Sequence, residues 1–158
     1  MKRGETLLGL LLLALVLAGL FWARARGGTG AAGTGEGLPD LSHADAVADL
    51  GAVRLRLAVT PRPLTAFAAH RWEVTAEAGG APVPLAAGRI SFAMRMPMGD
   101  HDYSLEPTPD GGGAAEVVLP RCASSGERRW IATVEATVAG ELHRARFRFD
   151  LEPPAPTP

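Results

Sequence analysis

Apolar and polar residues alternate along most of the chain between residues 52 and 151, which is the pattern of β-strands with one buried face. Residues 52–60 read AVRLRLAVT and residues 71–78 read RWEVTAEA, so that nearly every second side chain in each segment is apolar. The region lacks the period of about 3.6 residues that marks an amphipathic helix. The pattern therefore predicts an all-β fold.

Three further apolar segments extend this prediction. The segment GRISFAMRMPM alternates over residues 88–98, and a shorter run, EVVLP, follows at residues 116–120. Residues 128–138 and 142–151 alternate most clearly, and Ala139-Gly140-Glu141 between them predicts a β-hairpin. His143 shares the apolar face of the second of these strands, so we expect it to be packed against the core.

The number and spacing of these segments indicate how they are arranged. About seven short strands separated by Gly and Pro turns predict two packed antiparallel sheets, an immunoglobulin-like β-sandwich. Cys122 is the only cysteine, so the predicted sandwich holds no internal disulfide.

The N-terminal segment predicts export. Lys2 and Arg3 precede an uncharged apolar run over residues 6–23, the order that export machinery recognises. As a helix at about 1.5 Å per residue, residues 7–23 are roughly 25 Å long, at the short end of what spans a bilayer. Ala23-Arg24-Ala25 also fits a signal-peptidase site, so residues 1–26 are either a membrane anchor, which we favour, or a cleaved signal peptide.

Composition divides the remainder of the chain. Residues 27–51 begin with a Gly-rich stretch and are predicted to be a flexible tether, residues 52–151 the sandwich, and residues 152–158 a Pro-rich disordered tail. We expect the sandwich to lie in the cell envelope, on the periplasmic or extracytoplasmic side, held by a single N-terminal transmembrane helix.

Charge and motifs exclude several classes of function. The formal net charge is -1 with acidic and basic residues interspersed, which argues against a nucleic-acid partner. The sequence has no Gly-rich phosphate loop, no G-x-S-x-G motif and no H-E-x-x-H motif, so we expect no enzymatic activity.

The segment FAMRMPMGDHDY, residues 92–103, contains the residues most suited to chemistry. Thioether and imidazole groups together are soft ligands that suit Cu(I). On a straight strand the side chains of Met94 and Met98 start about 13 Å apart, so Met96, Met98 and His101 are the better trio of ligands. Pro97 and the residues after Met98 give the chain a reason to turn there.

Core packing explains the same residues without a metal. Methionine is a flexible apolar filler, and Met94 in particular continues the core face begun by Ile90 and Phe92. Cys122 is either a further Cu(I) ligand, if its loop lies near His101, or a small buried apolar residue. The remaining polar candidates are predicted to have no chemical role: His43, His70, Asp100, Asp102 and Glu106.

The hydrophobic leader, the Gly-rich tether and a sandwich containing MRMPMGDH (residues 94–101) resemble the YtkA-like and FixH-like group of exported bacterial domains. The resemblance covers residues 52–151 and implies an immunoglobulin-like fold with a metallochaperone or assembly role for copper-containing respiratory oxidases. It implies Cu(I) as the bound ion and Met96, Met98 and His101 as ligands, whereas Cys122 departs from an all-Met/His set.

Two hypotheses of different classes follow. The first is an exported accessory domain that binds Cu(I) and delivers it to an envelope or membrane protein, such as a copper-dependent oxidase or its assembly factors. The second is a metal-free β-sandwich interaction module of the cell envelope, in which the methionines are core and a sheet edge or loop binds a partner.

Overall fold

A computed structural model of the chain describes residues 36–121 and 126–154. All the secondary-structure elements in these residues are β-strands. They form two antiparallel sheets around a shared core, which confirms the prediction of an all-β sandwich. The predicted N-terminal helix lies outside the described residues. The strands are β1 (Ala46–Asp49), β2 (Val53–Thr60), β3 (Ala69–Ala78), β4 (Ala81–Val83), β5 (Leu85–Met94), β6 (Asp102–Ser104), β7 (Glu106–Pro107), β8 (Gly113–Val118), β9 (Arg129–Val138) and β10 (Glu141–Asp150).

The strands divide unevenly between the sheets. One sheet has the order β1-β2-β3-β8-β7, with β4 paired to β3, and the other has the order β10-β9-β5-β6. Four of the ten strands in the described residues, β1, β4, β6 and β7, have four residues or fewer. The predicted total of about seven strands omitted short strands of this kind, because two to four residues are too few to show a period of two.

The inner faces of the two sheets share one hydrophobic core. Trp72, near the start of β3, contacts Phe92 of β5 and Phe149 of β10, with ring centroids 4.7 and 5.1 Å apart and the rings steeply inclined. Edge-to-face contacts of this kind add to the hydrophobic contribution of burying the rings. They also show that the start of β3 lies at the same end of the sandwich as the ends of β5 and β10.

The predicted hairpin is confirmed. β9 and β10 pair over their full length, and Val138 lies opposite Glu141. Ala139 and Gly140 form the turn with φ angles of 50° and 84°, the left-handed conformation that both central residues of a type I′ turn require. The tight turn fixes the register and places Trp130, Val134 and Phe147 on the inner face.

The folded part begins earlier than the predicted boundary at residue 52. β1 pairs with β2, and Leu41 is buried in the core. The backbone N–H of Leu41 donates to the carbonyl oxygen of Arg148 at 2.8 Å, and the N–H of Arg148 donates to that of Pro39 at 3.0 Å. The predicted tether of residues 27–51 is therefore too long at its C-terminal end, because single buried residues such as Leu41 leave no periodic signal.

The sandwich also reaches the first residue of the predicted tail. The backbone N–H of Glu152 donates to the carbonyl oxygen of Leu64 at 2.7 Å, and the N–H of Ala66 donates to that of Glu152 at 2.9 Å. These bonds fix the chain as far as residue 152, one residue beyond the predicted end of the sandwich.

Within residues 36–121 and 126–154, no helix is long and apolar enough to cross a membrane. The predicted export segment, residues 6–23, lies outside this range.

Candidate metal centre

The methionine segment begins where β5 ends. β5 stops at Met94, and the chain bends over the next two residues. Pro97 has no backbone N–H to donate to a neighbouring strand, and Gly99 has a φ of 91°, which glycine adopts without strain. The predicted apolar row is therefore correct up to Met94 and wrong beyond it, since Met96 and Met98 do not belong to the strand.

The three methionines differ in burial. Met94 is 5% exposed and belongs to the core, as predicted, whereas Met96 is 41% exposed and Met98 is partly buried against the core. All three line one cavity of about 260 Å³, which is bounded by residues 92–99 and Trp130. The structure therefore brings the predicted ligands Met96 and Met98 to the same cavity as Met94.

His101 enters this end of the sandwich from the neighbouring strand. Tyr103 of β6 pairs with Ile90 of β5. His101 lies two residues before Tyr103, and its carbonyl oxygen accepts a hydrogen bond from the backbone N–H of Phe92 at 3.0 Å. The imidazole lies against Trp130, with ring centroids 5.6 Å apart and an interplanar angle of 71°. His101 therefore contacts Trp130, which lines the cavity, but it does not line the cavity itself.

The side chain of His101 is incompletely satisfied. Its Nε2 atom is buried and has no hydrogen-bond partner among the residues that the structure describes. Leaving a buried polar atom without a partner costs about 1 to 3 kcal/mol, so such an atom in a native protein calls for an explanation. A neutral imidazole nitrogen is also a common metal ligand, and a bound ion would use its lone pair.

The donor types decide which ion fits. In the described part of the chain, no three His, Cys, Asp or Glu side chains are grouped closely enough to hold a metal ion. Three thioethers line the cavity, and one imidazole lies on the other side of the contact with Trp130. Thioether and imidazole are ligand types that suit Cu(I). Asp100 and Asp102 beside His101 are exposed, as predicted.

Cys122 lies outside the described residues, which pause after residue 121 and resume at residue 126. Its proposed part in the ligand set therefore stays a prediction.

The remaining histidines have other surroundings. His70 is buried, its Nδ1–H donates to the carbonyl oxygen of Pro61 at 2.9 Å, and its Nε2 accepts from the backbone N–H of Thr65 at 3.1 Å. It therefore ties the loop after β2 to β3, a structural role that the sequence did not reveal. His143 is partly buried opposite Ala136, on the inner face as predicted, and His43 is exposed.

A carboxylate on the outer face of the second sheet is held between two arginines. Glu135 of β9 accepts from the Nε–H of Arg89 at 2.5 Å and from the Nε–H of Arg144 at 2.7 Å. The hydrogen bond from Arg89 is the largest effect on the pKa of Glu135 and holds it below the ordinary value; burial opposes this, and the bond and charge of Arg144 support it. Sequence reasoning missed this triad because Arg89 and Glu135 are 46 positions apart.

Exposed apolar side chains lie at the same end of the sandwich as the methionines. Phe67 is 63% exposed and has a φ of 63°, which is unusual for an aromatic residue. Its backbone N–H donates to the carbonyl oxygen of Leu119 at 2.9 Å, which places it beside the end of β8, where Val118 is also exposed. Tyr103 joins this edge to β6, because its hydroxyl donates to the carbonyl oxygen of Val118 at 3.4 Å.

Comparison with known proteins adds little to this geometry. No protein-family model matches the chain, and no curated protein matches it. Among solved structures it is similar to the crystal structure of a DUF4426 family protein from Pseudomonas aeruginosa PAO1, with 15% sequence identity and a TM-score of 0.47 over 71% of this chain and 98% of that chain. The resemblance to the YtkA-like and FixH-like group stays a prediction.

Proposed function

We propose that the protein is an exported, immunoglobulin-like accessory domain of the bacterial cell envelope that binds Cu(I) and passes it to a partner. The observation that carries this proposal is the buried Nε2 of His101, which has no partner among the described residues and lies beside a cavity lined by methionines. Thioether sulfur and neutral imidazole nitrogen are both ligand types that suit Cu(I).

The proposed ligands have separate roles. Met98, partly buried, and Met96, at the exposed rim, supply thioether sulfurs, and His101 supplies the imidazole nitrogen. These ligands carry no charge, so they do not neutralise the ion, and we expect it to be exchanged readily with a partner. Cys122, which lies outside the described residues, is a further candidate ligand.

The surrounding sequence supports a location in the cell envelope. The charged and apolar order of residues 2–23 supports export and a single N-terminal anchor, and the motif MRMPMGDH supports kinship with YtkA-like and FixH-like domains. On this proposal the protein is a metallochaperone without enzymatic activity of its own. Its partner is a copper-dependent oxidase or one of the factors that assemble such an oxidase.

A competition titration of the full-length chain with Cu(I) against a chromophoric chelator, under reducing conditions, tests the proposal. We expect the protein to capture one equivalent, and we expect His101→Ala and Met98→Ala each to weaken binding by about tenfold or more, as loss of a metal-site partner typically does. His143→Ala is the matched control, because His143 also lies on the inner face but near the opposite, hairpin end.

Two results would contradict the proposal in different ways. If the unaltered chain takes no Cu(I) from the chelator, the function is wrong. If it captures Cu(I) but His101→Ala and Met98→Ala both bind as tightly as the unaltered chain, the ligand set is wrong.

The exposed side chains of Phe67 and Val118 favour a second candidate, a metal-free interaction module. Exposed apolar residues that lie together often mark a binding surface for another protein. This candidate predicts no Cu(I) capture, and it predicts that Met98→Ala lowers only the stability of the domain. The same titration therefore distinguishes the two functions.

A further inference from the structure

The register of β5 and β6 places Met94 and His101 on one face. Ile90 lies opposite Tyr103, and Phe92 is bonded through its N–H to the carbonyl oxygen of His101. Because side chains alternate along a strand, His101 shares the inward face of Tyr103, whose ring contacts Phe92 at 5.9 Å. Met94, two residues beyond Phe92, is inward as well and nearly fully buried.

This arrangement makes Met94 a diagonal neighbour of His101. Diagonal positions on adjacent antiparallel strands are about 7 to 8 Å apart at the backbone, within reach of long side chains. Met96, by contrast, follows the end of the strand and is largely exposed. Of Met94 and Met96, Met94 is therefore better placed to approach the imidazole of His101 from inside the sandwich.

Trp130 links the same two residues from the other side. It is the cross-strand partner of Met94 on β9, it lines the cavity together with the methionines, and its ring contacts the imidazole of His101. Its side chain is almost completely buried, at 1% exposure. Met94 and His101 therefore both lie against the same buried indole.

The use of methionine in this protein is also uneven. The chain has four methionines, and apart from Met1 all of them lie within residues 94–98. The other large buried positions of the core are filled by leucine, isoleucine, valine, phenylalanine and tryptophan. A buried position that only had to be filled with apolar volume would accept leucine equally well.

We propose that Met94 is an inner thioether ligand of the Cu(I) site, acting with Met98 and His101 against the wall formed by Trp130. This inference rests on the proposed function and adds to it a ligand that the sequence assigned to the core. Met94 then serves both purposes, since its methylene groups pack in the core while its sulfur faces the ion. Met96 remains at the rim, where an arriving or departing ion passes it.

The test removes the sulfur atom of Met94 and keeps the volume of its side chain nearly unchanged. We expect Met94→Leu in the full-length chain to weaken Cu(I) binding by about tenfold or more in the chelator competition, as loss of a metal-site partner does. Ile90→Leu is the matched control, because Ile90 is buried on the same face of β5 and an apolar exchange there changes packing without changing donors. We expect this control to bind Cu(I) like the unaltered chain.

The outcomes separate this inference from the proposed function. If the unaltered chain captures Cu(I) and Met94→Leu captures it equally well, Met94 is not a ligand, while the proposed function stands. If the unaltered chain captures none, both are wrong. If Met94→Leu and Ile90→Leu weaken binding equally, packing explains the effect and the inference fails.

A second measurement observes Met94 directly, in a chain that keeps this residue. The full-length chain labelled with ¹³C at the methionine methyl groups is titrated with Ag(I), a redox-inert soft ion, and followed by NMR. Met96→Leu and Met98→Leu identify their own signals, which leaves those of Met1 and Met94. Of these two, the Met94 signal is the one with a nuclear Overhauser effect to the ring of Trp130, its cross-strand partner. We expect the Met94 methyl signal to shift and saturate at one equivalent; a signal that does not move would overturn the inference even if Met94→Leu failed to fold.

Discussion

The two ends of the sandwich close their strands in different ways. At the hairpin end, β9 turns into β10 through two residues, and β3 turns into β4 through Gly79 and Gly80, which have φ angles of 59° and 81°. At the methionine end, β5 runs into a long connection that contains a cavity, a buried imidazole nitrogen and a bend. One end closes its strands with two-residue turns, while the other end carries the methionine cavity and a buried nitrogen without a hydrogen-bond partner among the described residues.

This difference indicates where function is concentrated. Tight turns hold the strands in register and leave little room for a ligand, whereas longer connections on a rigid scaffold are where binding residues usually lie. The methionine end also carries the exposed side chains of Phe67 and Val118. Variants at the two ends should therefore separate effects on Cu(I) affinity from effects on the free energy of unfolding.

Trp130→Ala should have the largest effect on both properties. Removing a fully buried tryptophan costs about 3 to 5 kcal/mol in the free energy of unfolding, and here it also removes the wall shared by Met94 and His101. Trp72→Ala is the control, because Trp72 is equally buried but does not line the cavity. Urea unfolding should show similar losses for both, and Cu(I) competition under folding conditions should be impaired in Trp130→Ala alone. Equal Cu(I) affinity in the two variants would remove the contrast.

Glu135→Gln should have an intermediate effect that depends on pH. Loss of the charged hydrogen bonds to Arg89 and Arg144 should lower the free energy of unfolding by about 1 to 2 kcal/mol near neutral pH. Since the folded pKa of Glu135 is lowered, its contribution is fully present above the ordinary value of 4.5 and is lost as the pH falls through the folded value. Denaturation midpoints of the two proteins should therefore converge in acid. A difference that stays constant down to the lowest pH would show that the charge is not responsible.

Gly140→Ala should have the smallest effect. Its φ of 84° places any other residue in the left-handed region, at a cost of about 1 kcal/mol. Ala139→Gly, the neighbouring control, should not lower the thermal midpoint, because Ala139 already bears this strain at a φ of 50°. Neither variant should change Cu(I) affinity. A higher midpoint for Gly140→Ala would contradict the type I′ turn.

Much of the fold could be predicted because the alternation is regular where strands are long. The inner residues of β2, β3, β9 and β10 follow the period of two, and the Ala139-Gly140 turn follows from its sequence. β1 escaped prediction because four residues show no period, and Leu41 because it is buried singly. The methionine row was extended too far because Met96 and Met98 continue the period of two after the strand itself has ended at Met94.

Part of the geometry around the methionine segment could be predicted from the sequence, while the ligand set itself stays a prediction. The spacing of Met96, Met98 and His101 identified the segment, and the structure brings the two methionines to one cavity. The contact of His101 with Trp130, and the position of Met94 diagonal to His101, depend on pairing between strands distant in sequence. No local pattern encodes such pairing, just as none revealed the bond between Glu135 and Arg89.

The short run from Pro39 to Leu41 has a consequence for how the protein behaves at high concentration. Its backbone occupies hydrogen-bonding groups of Arg148 that would otherwise face outward, and β1 similarly occupies those of β2. Exposed strand borders recruit strands of other molecules and seed aggregates. By pairing with these borders, residues 39–41 and β1 remove backbone groups with which a strand of a second copy could otherwise pair.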